Sequence, residues 1–264
     1  DSKKSERTEP SQPLRRSARN LRREFNLGEF TDIEREYVDT FFAECDSLSA
    51  SELQRVITEK EKFSVNMTKK KLLCLKDGEW LTDEPVNYYF KLLQEHTEAR
   101  GGLDVHSFNS FFYSKLTENG AFTYNNVRRW TRGVDLFEKD LVLMPINFGN
   151  IHWVLAVALV QSRKLILLDS MSANLTSQRR DAALSSLKRY FEMEFSDKHR
   201  EADINEWTFG GLDSPQQSNN DDCGAFVCAS ASCLACGVPL EYDQREISRF
   251  RNHILLSIKE GHIH

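Results

Sequence analysis

The sequence predicts an α+β fold, because helical periodicity occupies both ends of the chain and strand-like patterns occupy its middle. Near the N-terminal end, Thr31 and Glu34 form the pattern of a helix capping box ahead of apolar residues at helical spacing. Compact apolar runs at 141–145, 152–160 and 164–168 are typical of strands. Helical spacing returns from residue 176 onward, so helices are expected to precede and follow the strands.

Two helices and a short extended segment are expected over residues 31–93. The helix that begins at Thr31 places three aromatic side chains on its apolar face: Tyr37, Phe41 and Phe42. The alternating stretch 63–67 predicts an extended segment. Thr82 is expected to cap the second helix, because Asp83, Glu84 and Pro85 are typical of a first turn. Four residues of that helix recur at core-facing positions: Val86, Tyr89, Phe90 and Leu93.

A short helix is expected around 124–131, before the first strand, and the polar residues 161–163 are expected to form the tight turn between the second and third strands.

Three helices are expected after the strands. Residues 176–195 have helical spacing. Residues 224–236 are apolar and small enough for a buried helix, and a last helix is expected over about 243–259.

The composition is that of an ordinary soluble domain, with 40% apolar and 28% charged residues. No run of about 18 apolar residues is present, which excludes a membrane-spanning helix. The chain opens without Met and without an apolar secretory segment, so it is expected to be part of a longer protein. At 264 residues it can bury a substantial core.

The formal net charge of −5 is unevenly distributed. Residues 1–23 carry eight Lys or Arg against three Asp or Glu, whereas the remainder carries 27 positive and 37 negative side chains. Such a basic segment can contact nucleic acid or an acidic partner, serve as part of a nuclear address, or simply be a solvated flexible leader. The acidic remainder argues against nucleic acid as the main ligand.

Cys223 has the surroundings of a nucleophile. It follows the polar loop 214–222 and directly precedes the predicted buried helix, so its sulfur is expected at a helix N-terminus. The unpaired N–H groups and the dipole there favour a thiolate, which is the form that attacks a carbonyl. Gly224 would let a substrate approach the backbone closely.

The other cysteines indicate packing rather than chemistry. Four of the six lie between 223 and 236, which favours buried thiols on one helix in a reducing compartment over a disulfide framework. Cys228, Cys233 and Cys236 are therefore interpreted as inert core thiols. The Cys233-x-x-Cys236 pair lacks a second ligand pair at suitable spacing, so neither a metal nor another cofactor is expected.

His152 and Asp169 are candidates for the base and for the residue that orients it. His152 begins one predicted strand and Asp169 ends its partner, so both lie at the end of the hairpin away from the turn. A two-residue turn would pair Asp169 with position 156 and place both side chains on one face, whereas a three-residue turn would separate them. Gln217 lies six residues before Cys223, where its amide and the Cys223 N–H could both point at an oxyanion.

These residues occur within motifs that resemble the SUMO-specific (sentrin-specific) cysteine proteases. The motifs are His152-Trp153, then 168–171 (Leu-Asp-Ser-Met), then Gln217-x-Asn219-x-x-Asp222-Cys223-Gly224, and the similarity extends to 80–90, 129–131 and 144–146. It covers roughly residues 30–260. The resemblance implies a papain-like fold, with a central mixed or antiparallel sheet flanked by helices and a catalytic triad in the order His, Asp, Cys.

Carried over by position, the resemblance implies that His152, Asp169 and Cys223 form the triad and that Gln217 serves the oxyanion. It also implies that Trp80 and Trp153 clamp a Gly-Gly tail and that Asp83 contacts the modifier. Flat aromatic walls admit glycine and exclude any side chain with a Cβ. The alternatives are core packing for the tryptophans and, for Asp83, service only as an acidic residue of the first helical turn. Thr82 and Asp221 depart from the usual family residues, close to where the modifier is selected.

The implied function is a thiol protease that cleaves after the C-terminal Gly-Gly of SUMO, releasing SUMO from target lysines and maturing precursors. The expected organisation is a basic flexible leader over 1–29 and a catalytic domain over 30–264. SUMO and SUMO-conjugated proteins are the expected partners, and the protein is expected to be a monomer in the nucleus, with the cytoplasm as a second location. The alternatives are another ubiquitin-like modifier or ubiquitin, an inactive modifier-binding module, and a nucleic-acid binder dependent on the leader.

Overall fold

A computed structural model describes residues 29–58, 62–172, 175–199 and 207–264. The leader predicted for residues 1–29 lies, apart from Glu29, outside these described residues. The longer helices are α1 (Asp32–Cys45), α3 (Asp83–Arg100), α5 (Ser177–Lys198), α6 (Cys223–Ala235) and α7 (Gln244–Glu260), and the short ones are α2 (Lys69–Leu72) and α4 (Phe111–Leu116). The strands are β1 (Val105–Ser107), β2 (Leu141–Phe148), β3 (His152–Leu159), β4 (Lys164–Leu168) and β5 (Thr208–Phe209).

The helix starts follow from local capping. Thr31 and Asp243 each form a reciprocal capping box, with Glu34 and Glu246 respectively, at the starts of α1 and α7. Thr82 precedes α3 in an extended conformation but makes no side-chain capping hydrogen bond, so the acidic residues Asp83 and Glu84 supply the favourable first-turn charge. The positions 86, 89, 90 and 93 predicted for the core are all buried.

The five strands form one mixed sheet in the order β1-β2-β3-β4-β5, which confirms the predicted α+β class with a mixed central sheet. The β2–β3 and β3–β4 pairs are antiparallel, and the outer pairs β1–β2 and β4–β5 are parallel. Strand β3 is central. Its alternate residues Trp153, Leu155 and Val157 belong to the core on the side of α3, α6 and α7, and its other residues contribute to the core against α4 and α5.

Three local predictions are corrected. The segment 63–67 is not extended over its whole length, because it begins with a turn at Phe63 and Ser64, whose φ angles are 58° and 54°. The predicted helix at 124–131 is reduced to a 3-10 turn over Tyr124–Asn126. The β3–β4 connection has four residues, 160–163, since Leu159 pairs with Lys164.

All six cysteines are free thiols, and Cys228, Cys233 and Cys236 are buried in or beside α6, as predicted. Among the described residues, no helix combines the length and the apolar character that crossing a membrane requires. Within the same ranges, no three His, Cys, Asp or Glu side chains are grouped to hold a metal ion.

Candidate active site

The hairpin between β2 and β3 places His152 at the end of the sheet. Phe148 pairs with His152, so only residues 149–151 connect the two strands. Gly149 and Asn150 both adopt positive φ angles, 66° and 60°, which closes the turn within that length. The imidazole is consequently the first side chain of the central strand, and it is buried.

Asp169 follows β4 directly and meets His152. Because Leu155 pairs with Leu168, continuing the register by one residue sets Asp169 opposite Val154, an even offset from His152. The four-residue connection thus has the parity of the two-residue turn considered from the sequence. The His152 Nε2 and Asp169 Oδ1 atoms are 2.9 Å apart, and the carboxylate is fully buried. This contact leaves the other ring nitrogen, Nδ1, for the nucleophile.

Two further groups hold the Asp169 carboxylate in place. The Met171 backbone N–H donates to Oδ1 at 2.9 Å, in addition to the imidazole. The Oδ2 atom faces the Arg180 guanidinium, with 3.6 Å between Oδ2 and Nη2. The carboxylate is therefore oriented from both of its oxygens.

Cys223 is the first residue of α6, at the helix N-terminus that the sequence predicted. The Trp153 backbone N–H lies 3.5 Å from Sγ, and attraction to Cys223 is one of the influences that raise the pKa of His152. A thiolate at this position would accept from the Trp153 N–H and the imidazole while facing the positive end of the α6 dipole. The structure therefore brings Cys223, His152 and Asp169 together from three separate elements.

The electrostatics of His152 favour the protonated ring. Burial alone would lower its pKa, but hydrogen bonds and Coulombic attraction from Asp169 and Cys223 outweigh burial and raise the pKa to about 9. An imidazolium donates from both ring nitrogens. It can therefore bind the Asp169 carboxylate and a Cys223 thiolate at the same time.

Gln217 is held on a loop that is bonded to the residues after Asp169. Its backbone N–H donates to the Ser170 carbonyl at 2.9 Å, and the Ser170 hydroxyl donates to its Oε1 at 2.7 Å. Its Nε2 atom donates to the Asn219 carbonyl at 2.9 Å. To stabilise an oxyanion, the Gln217 side-chain amide has to direct an N–H toward the substrate instead of toward Asn219.

The neighbouring Gln216 also joins the two segments. Its Nε2 donates to the Asp169 carbonyl at 2.8 Å, and its Oε1 accepts from the Ser172 hydroxyl at 3.0 Å. Neither Gln216 nor Ser170 was singled out from the sequence as a functional residue. Ser170 lies inside the motif that follows Asp169, which is the one signal that could have identified it.

The two tryptophans differ in exposure. Trp80 is 49% exposed, whereas Trp153 is 3% exposed and donates from Nε1 to the Leu81 carbonyl at 2.9 Å. Trp153 therefore belongs to the core as well as to the site. Gly224 packs against the same residues, because a Cβ there would lie 2.7 Å from Leu81 Cβ and 3.2 Å from Trp153 Cδ1. The Cβ direction of Gly224 is thus filled by protein, which by itself requires a residue without a side chain.

Asp83 lies at the first position of α3, and a relay of hydrogen bonds orients it. The Asn87 amide donates to Ser110 Oγ at 3.0 Å, and the Ser110 hydroxyl donates to Asp83 Oδ1 at 2.6 Å. The Ser110 backbone N–H in turn donates to Asn87 Oδ1 at 2.7 Å. Since Asn87 donates to the hydroxyl oxygen, the hydroxyl hydrogen is available for Asp83.

A family model and individual protein sequences both match this chain, and both matches are proteases. Residues 79–262 match the model of the Ulp1 protease family, C-terminal catalytic domain. The chain is 36% identical to Sentrin-specific protease 2 of Mus musculus over 201 residues, which is 74% of this chain and 32% of that protein. The chain therefore spans about a third of the length of this relative.

Solved structures agree with the sequence comparisons. The C-terminal Ulp1 protease domain in complex with Smt3, the yeast ortholog of SUMO, aligns with a TM-score of 0.73 and 26% identity, over 88% of this chain and 96% of that chain. The SUMO protease Ulp1 with its catalytic cysteine oxidised to a sulfonic acid aligns with a TM-score of 0.71 and 25% identity, over 88% and 97% of the two chains.

Proposed function

We propose that this chain, which belongs to the Ulp1 protease family, is the catalytic part of a cysteine protease that cleaves after the C-terminal Gly-Gly of SUMO. The observation that carries the proposal is the convergence of three residues: the Cys223 Sγ lies 3.5 Å from the backbone N–H of Trp153, and the adjacent His152 binds the buried Asp169 through Nε2. The relatives named Sentrin-specific protease and the Ulp1 domain bound to Smt3 support SUMO as the modifier.

In the proposed reaction, the Cys223 thiolate attacks the carbonyl carbon of the terminal glycine. The carbonyl oxygen takes the negative charge and accepts from the Cys223 N–H and the Gln217 amide. His152 then gives a proton to the leaving amine as the C–N bond breaks, and a thioester forms at Cys223. Water, deprotonated by His152, attacks the thioester and restores the thiolate while the glycine carboxylate leaves. Asp169 keeps the imidazole oriented throughout.

Trp80, Trp153 and Asp83 are proposed to bind the modifier. The Trp153 indole donates to the carbonyl of Leu81, the residue after Trp80, and the Trp153 backbone N–H faces the Cys223 sulfur, so the backbone beside Trp80 is attached to the site. A passage between aromatic faces suits a glycine backbone and excludes side chains with a Cβ. Asp83, with one oxygen held by Ser110, has its other oxygen for a cationic group of the modifier.

The wider biology of the full-length protein is proposed from the same relatives. SUMO-conjugated proteins would be substrates, and the catalytic part would act as a monomer without nucleic acid. A nuclear location, with a cytoplasmic pool as the second possibility, fits the SUMO pathway and the basic residues 1–23. Precursor maturation would use the same chemistry, because the scissile bond again follows Gly-Gly.

A panel of modifiers with a C-terminal electrophile tests the proposal. SUMO, ubiquitin and a second ubiquitin-like protein are each incubated with the chain, and adducts are located by mass spectrometry. We expect a SUMO adduct at Cys223 that Cys223→Ser abolishes. Cys74→Ser is the matched control, because Cys74 is also a free thiol with some solvent access, and its adduct should be unchanged.

Other outcomes would assign other functions. An adduct with ubiquitin and none with SUMO would refute the SUMO specificity. Folded protein that reacts with no modifier yet binds SUMO would indicate an inactive binding module. Deleting residues 1–28 separates these cases from nucleic-acid binding, because a protease retains its adduct and a binder that depends on the leader loses its affinity.

A further inference from the structure

Arg251 is a fully buried cation on α7. Its neighbours on that helix, Phe250, Ile254 and Leu255, are all core residues, so an apolar side chain would be the ordinary occupant of the position. A buried guanidinium has to find a partner for each of its five N–H donors. The hydrogen-bond partners of Arg251 therefore indicate its role.

The Arg251 donors divide between two segments of the site. Three go to carbonyl oxygens of the segment that leads to Trp80: Cys74 at 3.0 Å, Lys76 at 3.3 Å and Glu79 at 2.9 Å. Two go to the residues immediately before the nucleophile: Asp222 Oδ1 at 2.7 Å and the Asp221 carbonyl at 3.0 Å. One side chain thus joins the Trp80 segment to the start of α6.

The backbone on both sides of Trp80 is fixed to the triad. The Glu79 carbonyl is held by Arg251, which also binds the residue next to Cys223. The Leu81 carbonyl is held by Trp153, which is the residue next to His152. Trp80 therefore lies between two anchors, one tied to the nucleophile and one to the base.

Asp222 is fixed as firmly as Arg251. Its second oxygen, Oδ2, accepts from Asn219 at 2.6 Å and from Gln244 at 2.5 Å. Asp222 makes no capping hydrogen bond to α6, so its carboxylate is committed to these partners rather than to its own helix. The carboxylate next to Cys223 is thereby paired with Arg251 through Oδ1 and with two amide donors through Oδ2.

We propose that Arg251, paired with Asp222, is a positioning residue that sets the distance between Trp80 and Cys223 and so aligns the Gly-Gly tail for attack. The inference rests on the proposed function for its substrate, and it assigns a role to a residue that touches neither substrate nor sulfur. An Arg is required because its planar fork serves several acceptors at once, whereas a Lys presents a single ammonium.

The test compares Arg251→Lys with the wild-type chain on SUMO that carries a C-terminal fluorogenic amide. We expect kcat to fall at least about 10-fold with KM within about 3-fold, because small misplacements of reacting groups cost large factors in rate. Alkylation of Cys223 by iodoacetamide should stay within about 3-fold, since that reagent needs the thiolate but not the tail-binding passage. Amide hydrogen exchange should rise in peptides covering 74–81 and 219–224.

Glu194→Gln is the matched control. Glu194 is an equally buried charge, hydrogen-bonded to Tyr124 and Thr131 in the core on the opposite face of the sheet. This variant should lose thermal stability while kcat stays within about 2-fold, because no active-site segment depends on it. An equal loss of kcat in both variants at equal loss of stability would reduce Arg251 to a structural residue and overturn the proposal.

A second variant and a measurement without SUMO cover the cases in which the first test gives no rate. If Arg251→Lys does not fold, Asp222→Asn replaces it, because the charge is lost and the single amide oxygen cannot accept from Arg251 and from Asn219 and Gln244 at the same time. Unchanged kcat in this variant overturns the proposal. Hydrogen exchange needs no SUMO. If the wild-type chain cleaves no SUMO substrate, the proposed function fails, and unchanged exchange in both segments would separately overturn the link through Arg251.

Discussion

In the proposed mechanism, the pKa of His152 sets the alkaline limit of activity. Asp169 and Cys223 hold this pKa at about 9, against its ordinary value of 6.5. His152 has to be protonated to give a proton to the leaving amine, so we expect kcat/KM to decline as the pH rises through about 9. Asp169→Asn removes the carboxylate that favours the imidazolium, and burial then lowers the pKa.

The size of the effect on folding stability follows from the two pKa values of His152, 6.5 and about 9. The difference between 6.5 and about 9 corresponds to about 3 kcal/mol of stabilisation of the protonated ring in the folded state, at 1.36 kcal/mol per pH unit. Because the folded-state pKa is the higher one, this stability is fully present below pH 6.5 and is lost as the pH rises through about 9. The Asp169→Asn variant should lose much of that dependence, and its alkaline limit of activity should move down by at least about 1 pH unit.

Two assays measure these effects. The pH profile of kcat/KM on a SUMO C-terminal amide gives the alkaline limit, and urea unfolding at pH 6 and pH 9.5 gives the change in the free energy of unfolding. Asp135→Asn is the control, because Asp135 lies 2.8 Å from His199 in a second Asp–His pair outside the site, and it should leave the activity profile unchanged. An alkaline limit that does not move in Asp169→Asn would refute the role given to the carboxylate.

Two other predictions concern packing and substrate binding. Gly224→Ala should lower the free energy of unfolding by about 1–3 kcal/mol, because the added Cβ would lie 2.7 Å from Leu81 Cβ. Thermal unfolding measures this change. Gly211→Ala is the control and should be near neutral, because a Cβ there meets nothing within 4 Å. Ser110→Ala should raise KM for SUMO several-fold with little change in kcat, because Asp83 loses a hydrogen bond worth about 1 kcal/mol; a fall in kcat at constant KM would contradict the proposed binding role of Asp83.

The elements that local sequence determines were predicted well. The cap at Thr31 needs only residues three positions apart, and the strand at 152–160 is recognisable from its own composition. Cys223 was placed correctly at a helix start, because a polar loop followed by an apolar run marks that boundary. Such signals lie within a few residues of the feature that they predict.

The contacts that hold the site together depend on distant residues and could not be predicted in this way. Gly224 was interpreted as space for substrate, but its neighbours Leu81 and Trp153 are more than 70 residues away in the chain. Arg251 has the sequence environment of any exposed basic residue near an apolar helix face. Its burial becomes evident only when the carbonyls of 74–79 and the Asp222 carboxylate are brought to it by the fold.

The site is coupled through the residues adjacent to the reacting groups. Trp153 donates its backbone N–H toward the Cys223 sulfur and its indole N–H to the Leu81 carbonyl. Ser170, the residue after Asp169, donates its hydroxyl hydrogen to Gln217. Each proposed reacting group thus has a chain neighbour that is bonded to another part of the site. A displacement of one segment would stretch hydrogen bonds in the next, so the geometry of His152, Asp169 and Cys223 is set collectively, and only the Gln217 amide has to turn toward the substrate. Preorganisation of this kind reduces the entropy that the reaction has to supply once a Gly-Gly tail reaches Cys223.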